Sequence, residues 1–249
     1  MKISVITVCF NSEQTIKSTL RSVATQTWGE REHIVVDGAS TDCTLAILHE
    51  HLSQLTQVIS EPDIGIYDAM NKGLNVATGD IIGFLNADDV YAHQNVLAAV
   101  AEVMKRERLD ALFGDVEFFR QEDPAKTVRR YSSSHFSPEQ IAWGWMPAHP
   151  ALFLRRSVYE RFGVFQPDYR IAGDFELVAR IFKSGSLKYR YVPEVLVRMR
   201  TGGISTRGFS HTILLNQEVL RACRENGIST NWFKILLKYP LKFLEFYRK

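Results

Sequence analysis

Apolar and polar positions sort into short blocks along the first hundred residues, and the blocks alternate between two periods. Ile3 to Phe10 is rich in β-branched residues and stops at the turn-forming pair Asn11-Ser12, which predicts a central strand. Glu13 to Gln26 follows with Ile16, Leu20 and Val23 on one side, the spacing of a helix. His33 to Val36 is a second apolar strand ending in Asp37, and D-G-A-S-T-D then opens a helix through Leu45, Leu48 and Leu52. Gln57 to Ser60 predicts a third strand. Ile66 to Ala77 predicts a helix with Ile66, Met70, Leu74 and Ala77 inward, and Ile81 to Leu85 is short and apolar enough for a fourth, buried strand. Such alternation predicts an α/β fold, a mostly parallel central sheet flanked by helices, with binding loops at the strand C-termini. Thr7 to Asn11, Asp37 to Asp42 and Asn86 to Asp89 all fall there.

The later pattern is less regular. A helix is expected from about Gln94 to Lys105, a strand over Leu112 to Phe119 with Val128 to Tyr131 pairing beside it, and a strand over Ala151 to Leu154. Tyr131 to Trp145 lacks a period and predicts a mobile loop. Ser157 would cap a short helix, Asp174 opens an amphipathic one, Val195 to Arg200 is a strand, and Phe209 to Glu225 is a further helix.

Composition changes this picture little. The chain of 249 residues can bury a sizeable core, and its net charge of +2 argues against a general nucleic-acid binder. Three scattered cysteines, Cys9, Cys43 and Cys223, indicate neither a disulfide framework nor a zinc site. No stretch reads as a secretory signal or a membrane span, so a cytoplasmic location is expected.

The candidate chemistry lies in acids at strand ends. Asn86, Ala87, Asp88 and Asp89 end the fourth strand, and adjacent carboxylates there need water or a cation to stay ionised. Mg²⁺ or Mn²⁺ suits such a site, because these ions take one or two protein carboxylates and complete their shell with water and phosphate. A solvated Asp-Asp turn capping the next helix is the alternative. Asp37 at the end of the second strand could accept from a sugar hydroxyl or a base N–H, as in dinucleotide-binding folds. A nicotinamide dehydrogenase, however, needs G-x-G-x-x-G after the first strand, and this chain has C-F-N-S-E-Q-T. A P-loop is also missing. Asp68, Asn71 and Lys72 lie off the apolar face of their helix, where each alone reads as a solvated side chain.

Together, V-I-T-V-C-F-N, V-V-D-G-A-S-T-D, S-E-P-D-I-G-I-Y-D-A-M-N-K-G and G-D-I-I-G-F-L-N-A-D-D resemble the family 2 glycosyltransferases, which have the GT-A fold. The match runs from residue 3 to 91 and resumes near 147 to 185, and its version of the third block looks most like bacterial exopolysaccharide, O-antigen and colanic-acid enzymes. The resemblance implies a glycosyltransferase domain over 1–230, with a nucleotide-sugar-binding half (1–118) and an acceptor and catalytic half (119–230). A nucleotide-diphosphate-sugar donor would meet Thr7, Phe10 and Asn11 near base and ribose, Asp37 at the base edge, and Asp68, Asn71 and Lys72 along the diphosphate. Asn86, Ala87 and Asp88 fall on the family's D-x-D metal motif, with Asn86 a departure that leaves Asp89 to share the Mn²⁺ or Mg²⁺. Asp174 matches the acid of the family's E-D motif and is implied as the catalytic base, although Gly173 stands where Glu is commoner. As a bare sequence feature Asp174 is a helix cap, and His149, between Pro147 and Pro150, is expected to be a packed imidazole.

Arg198, Arg200 or Arg207 could close over a diphosphate. The tail, 231–249, sets Lys234, Lys238 and Lys242 among Trp232, Phe233, Leu236, Leu237 and further apolar residues, a pattern suited either to an anionic membrane interface or to packing as a last helix. The implied acceptor is a polyprenyl-diphosphate-linked saccharide at the inner face of the cytoplasmic membrane. A nucleotide-sugar-binding module that has lost catalysis is the rival of another class; Asn86 and Gly173 would be its signs, and Asp88 and Asp174 argue against it.

Overall fold

The computed structural model describes residues 1–201 and 208–237. Arg207 and the tail beyond residue 237 lie outside the described residues. The strand runs read from the sequence are strands: β1 (Ile3–Cys9), β2 (Arg31–Asp37), β3 (Gln57–Ser60) and β4 (Ile81–Phe84). Every residue of β1 and β4 is buried, as a strand covered on both faces requires. β5 (Val90–Tyr91), β6 (Ala111–Arg120), β7 (Asp123–Tyr131), β8 (Leu152–Arg155) and β9 (Tyr189–Arg200) complete the sheet. Its order is β3-β2-β1-β4-β8-β6-β9-β5, with β7 beside β6. The β3-β2-β1-β4 half is parallel, and β8 then joins β4 and β6 in the antiparallel sense while β9 returns parallel to β6.

Helices α1 (Ile16–Ala24), α2 (Thr44–Glu50), α3 (Ile66–Val76), α4 (Val96–Glu107), α5 (Arg156–Phe162), α6 (Gly173–Lys183), α7 (Gly208–Glu225) and α8 (Trp232–Leu236) accompany it. α4 starts behind Asn95, with β5 between it and the acids, so Asp88 and Asp89 do not cap it. Arg155, not Ser157, precedes α5. The segment 131–145 differs from the mobile loop expected, because it is anchored. Ser133 donates its backbone N–H to Asp115 (2.9 Å) and its hydroxyl to the Gly114 carbonyl (2.9 Å), and a 3-10 turn over Pro138–Trp143 buries Ile141. Among the described residues no helix is long and apolar enough to cross a membrane.

Glu32 ties the parallel half together from inside. Its buried carboxylate accepts from Ser4 Oγ (2.5 Å), from the backbone N–H (2.7 Å) and Oγ1 (2.8 Å) of Thr78 and from Gly79 N (3.1 Å), and pairs with Lys2 Nζ (2.5 Å). Burial alone would raise its pKa, but hydrogen bonds from Lys2, Ser4 and Thr78 outweigh it and hold the group at about 2. His33, hydrogen-bonded to Thr7 Oγ1 at 2.9 Å, is instead depressed to about 3 by burial and then by Arg31. Both groups bind protons more weakly folded than unfolded, so both contribute stability that is lost on acidification. The window is 6.5 down to 3 for His33 and 4.5 down to 2 for Glu32. Glu32→Gln is therefore expected to lose about 2–3 kcal/mol at neutral pH and to flatten the stability profile below pH 4.5, with the upper window unchanged. Urea melts at a series of pH values measure this directly.

Candidate active site

Register brings the functional loops to one ledge. Cys9 sits beside Asp37 and Asp37 beside Ser60, and β4 ends alongside Ile6, so the chain leaves β1, β2, β3 and β4 on the same side.

Phe10 projects from this ledge with 62% of its surface exposed, a flat apolar face available for stacking. Asn11, at φ 48°, takes Thr41 N–H on its side-chain oxygen (2.9 Å) and gives its own N–H to Ser40 (2.8 Å), fixing the 38–42 loop. Thr7 is not on the surface, since its side chain is fully buried against His33. Asp37 also differs from expectation. It is fully buried; one oxygen accepts from the Ser40 hydroxyl, and the other accepts from Ser40 N (3.1 Å) and Ser60 Oγ (2.7 Å). These bonds order the loop that follows β2. Asp63 packs against this loop, its carboxylate so close to Gly38 that a Cβ there would stand 2.8 Å from it. The E-P-D run before Gly65 was the signal, and Pro62 and Gly65 made it look like turn material.

α3 carries three expected residues, and two are otherwise engaged. Asn71 donates from Nδ2 to the Phe165 carbonyl (2.8 Å) and accepts Phe165 N–H on Oδ1 (3.0 Å), so it clasps a backbone 94 residues away. Asn71→Ala is expected to lower stability by about 2 kcal/mol with little effect on nucleotide affinity, readable by thermal melts beside titration calorimetry. Lys72 meets Asp63 (2.6 Å), Glu61 (3.0 Å), Asp68 (3.4 Å) and the Pro62 carbonyl (2.8 Å). Burial opposes its charge, but Asp63 and Glu61 overcome this and raise its pKa. The ammonium is thus enclosed by acids and fastens the loop that carries them. Asp68 also accepts Ile64 N–H at 3.2 Å.

At the end of β4, Ala87 is buried in the small apolar cluster with Cys9, Ile16 and Leu20, which pins the turn between its polar neighbours. Asp88 is half-buried, whereas Asp89 is 1% exposed and accepts from Asn86 Nδ2 at 3.2 Å and from the backbone of Arg200. Burial raises the pKa of Asp88; burial and then the Asp88 charge raise that of Asp89 further. This is the electrostatic state that a divalent cation relieves. Among the described residues no group of three His, Cys, Asp or Glu converges there, so such an ion would take Asp88 and the Asn86 carbonyl oxygen and draw its other ligands from phosphate and water. Asp89 is turned inward on Asn86. Arg200 supplies nearby positive charge, and its buried Nε has no partner among the described residues.

Asp174 lies in the first turn of α6 behind Ala172, so it is not the cap itself. Its Oδ1 accepts Phe175 N–H (2.8 Å) and the Tyr67 hydroxyl (3.3 Å), which also donates to the Ile171 carbonyl at 2.6 Å. Gly173 explains its own identity, because a Cβ there would lie 2.7 Å from the Tyr67 ring. Glu176 points away into a buried pair with Arg180 (2.7 Å). Tyr67 was not singled out in the sequence, where it reads as one more apolar position in a helix.

A model described as glycosyl transferase family 2 matches residues 4–163. The chain belongs to this family. A PGL/p-HBAD biosynthesis glycosyltransferase of Mycobacterium tuberculosis is 32% identical over 215 residues, covering 85% of this chain and 80% of that protein. An uncharacterized glycosyltransferase of Haemophilus influenzae is 26% identical over 238 residues, covering 90% and 72%. Among solved structures, S. aureus TarS 1-349 in complex with UDP-GlcNAc superposes with TM-score 0.71 at 19% identity over 89% of this chain and 66% of that one. The mannosyltransferase PcManGT of Pyrobaculum calidifontis, in complex with GDP-Man and Mn²⁺, gives 0.64 at 21% identity over 88% and 64%. The fold of this family 2 glycosyltransferase is thus the GT-A fold expected, a mixed α/β sheet flanked by helices.

Proposed function

We propose that this glycosyltransferase inverts the anomeric centre of a nucleotide-diphosphate-sugar and passes the sugar to a saccharide hydroxyl, with a divalent ion at Asp88. The observation that carries the reading is the meeting of Asp174 with the donor side. Tyr67, from the helix that orders the acidic loop under Phe10, holds the carboxylate, and the end of β4 lies across the same aromatic cluster. The base would stack on Phe10, and the diphosphate would lie at Asn86, Ala87 and Asp88, with Arg200 nearby in place of the engaged Lys72. Mn²⁺ or Mg²⁺, when bound, neutralises charge on the leaving diphosphate. Asp174 takes the proton of the attacking hydroxyl, its own negative charge favoured at the start of α6.

The acceptor proposed is a polyprenyl-diphosphate-linked saccharide of a bacterial surface polysaccharide, met at the inner face of the cytoplasmic membrane. α8 supports a peripheral contact: Ile235 is buried against the domain while Trp232, Phe233, Leu236 and Leu237 stand exposed, followed in sequence by Lys238 and Lys242. A thermal-shift screen of UDP, GDP, dTDP and CMP sugars, with and without Mn²⁺ or Mg²⁺, tests the reading. Metal-dependent stabilisation by one nucleotide class supports it, since a ligand of the native state raises apparent stability. A response to NAD(P) alone would overturn it.

A further inference from the structure

Among the described residues, His149 is a buried side chain of the site region whose ring has no hydrogen-bond partner. The imidazole is 8% exposed, yet no hydrogen bond to its ring exists among the described residues. Its nitrogens are also missing from the buried unpartnered atoms, so what exposure the ring retains is shared by its polar edge. On its faces it is held by aromatic rings: Phe84 stacks at 5.4 Å, and Phe165 meets it edge-on at 5.6 Å. Phe165 is itself fixed, through the Asn71 clasp on its backbone and through Tyr67 at 5.7 Å. The ring therefore cannot turn away to find a partner elsewhere.

Its location narrows what that edge meets. Phe84 is the last residue of β4, two before Asn86, so one side of His149 borders the end of β4 assigned to the diphosphate. Through Phe165 and Tyr67 the same aromatic cluster leads to Asp174, whose charge also acts on the imidazole. A sugar attached to a diphosphate at Asp88 and attacked by a hydroxyl deprotonated at Asp174 has to occupy the space between. Burial, opposed by Asp174, lowers the His149 pKa, so the ring is neutral at neutral pH. A neutral imidazole offers one N–H donor and one nitrogen acceptor, the pair that complements a hydroxyl able both to give and to accept. A phosphate would need a cation here, and an apolar ligand would leave both nitrogens unsatisfied.

We propose that His149 binds a hydroxyl of the transferred sugar and so helps to set donor-sugar specificity. The inference rests on the nucleotide-sugar reading above and deepens it. A rigid, uncharged partner for a hydroxyl discriminates strongly against sugars that lack or invert it, because the imidazole is then left unpaired.

The test is calorimetry on the full chain with Mn²⁺, comparing UDP with UDP-glucose and UDP-GlcNAc, and GDP with GDP-mannose. The readout is the ratio of Kd for nucleotide sugar to Kd for its nucleoside diphosphate. His149→Phe and His149→Leu remove the polar edge and differ in how they fill the space, so either carries the test should the other not fold. Each is expected to raise the ratio about tenfold, the cost of one unmade hydrogen bond, while nucleoside diphosphate binding stays within about twofold. His149→Gln, which still donates and accepts, should recover part of the loss. An unchanged ratio, with affinity for both ligands falling together or not at all, would overturn the proposal and leave His149 a packing residue. Absence of binding by the wild-type chain to any of the five ligands, and to the dTDP and CMP sugars of the thermal-shift screen, would instead overturn the donor reading on which it stands.

Discussion

Asp174→Asn is expected to reduce kcat by about 10²–10⁴-fold while donor affinity stays within about twofold, the range typical for loss of a general base. The substitution is well matched to the site. Asn retains a side-chain oxygen that accepts from Phe175 N–H and from the Tyr67 hydroxyl, so the start of α6 and its tie to α3 persist. What disappears is the ability to accept a proton from the attacking hydroxyl. Single-turnover transfer assays beside donor calorimetry separate the two effects. Activity close to wild type would remove Asp174 from the mechanism, and parallel loss of donor binding would make it an organiser of the donor site.

Asp88→Ala has an expected signature of opposite signs. Metal-dependent binding of nucleotide sugar should be lost and kcat/KM should fall by about 10²–10³-fold, as when a group that stabilises developing charge is removed. The ligand-free protein, in contrast, should be no less stable and should gain slightly as pH rises. Asp89 has a raised folded pKa, so its ionisation opposes folding as pH climbs, and the Asp88 charge is the second cause of that rise. Removing the neighbour eases the penalty. Thermal melts at several pH values, each with and without Mn²⁺, read both signs in one experiment. An undiminished metal response would move the ion to Asp89 or away from this turn.

The strands and helices of the donor half were legible because each buried strand is a short β-branched run and each helix has one apolar face. The turn at Asn86 to Asp89 was legible as a turn, since the apolar run of β4 gives way there to Asn86, Asp88 and Asp89. What was not legible are the partners of Asp37, Asn71 and Lys72, all polar groups whose partners lie elsewhere in the chain. Ser60 is 23 residues from Asp37 and Phe165 is 94 from Asn71, and no local pattern reveals which group reaches an acid or amide first. The partners of Lys72 lie nearer, Glu61 and Asp63 in the loop before α3. His149 was read as packed, and its rings do pack; that its polar edge lacks a partner is a property of the surrounding fold and is invisible in sequence.

The contact of Gly173 with Tyr67 bears on how such sites diverge. A side chain at 173 and an aromatic ring at 67 compete for one volume, so the missing Glu is the counterpart of a ring that holds the neighbouring carboxylate, and it is not a mark of decay. In a combinatorial library an acid would enter at 173 only where residue 67 surrenders its ring, and variants that change one position alone would be depleted together.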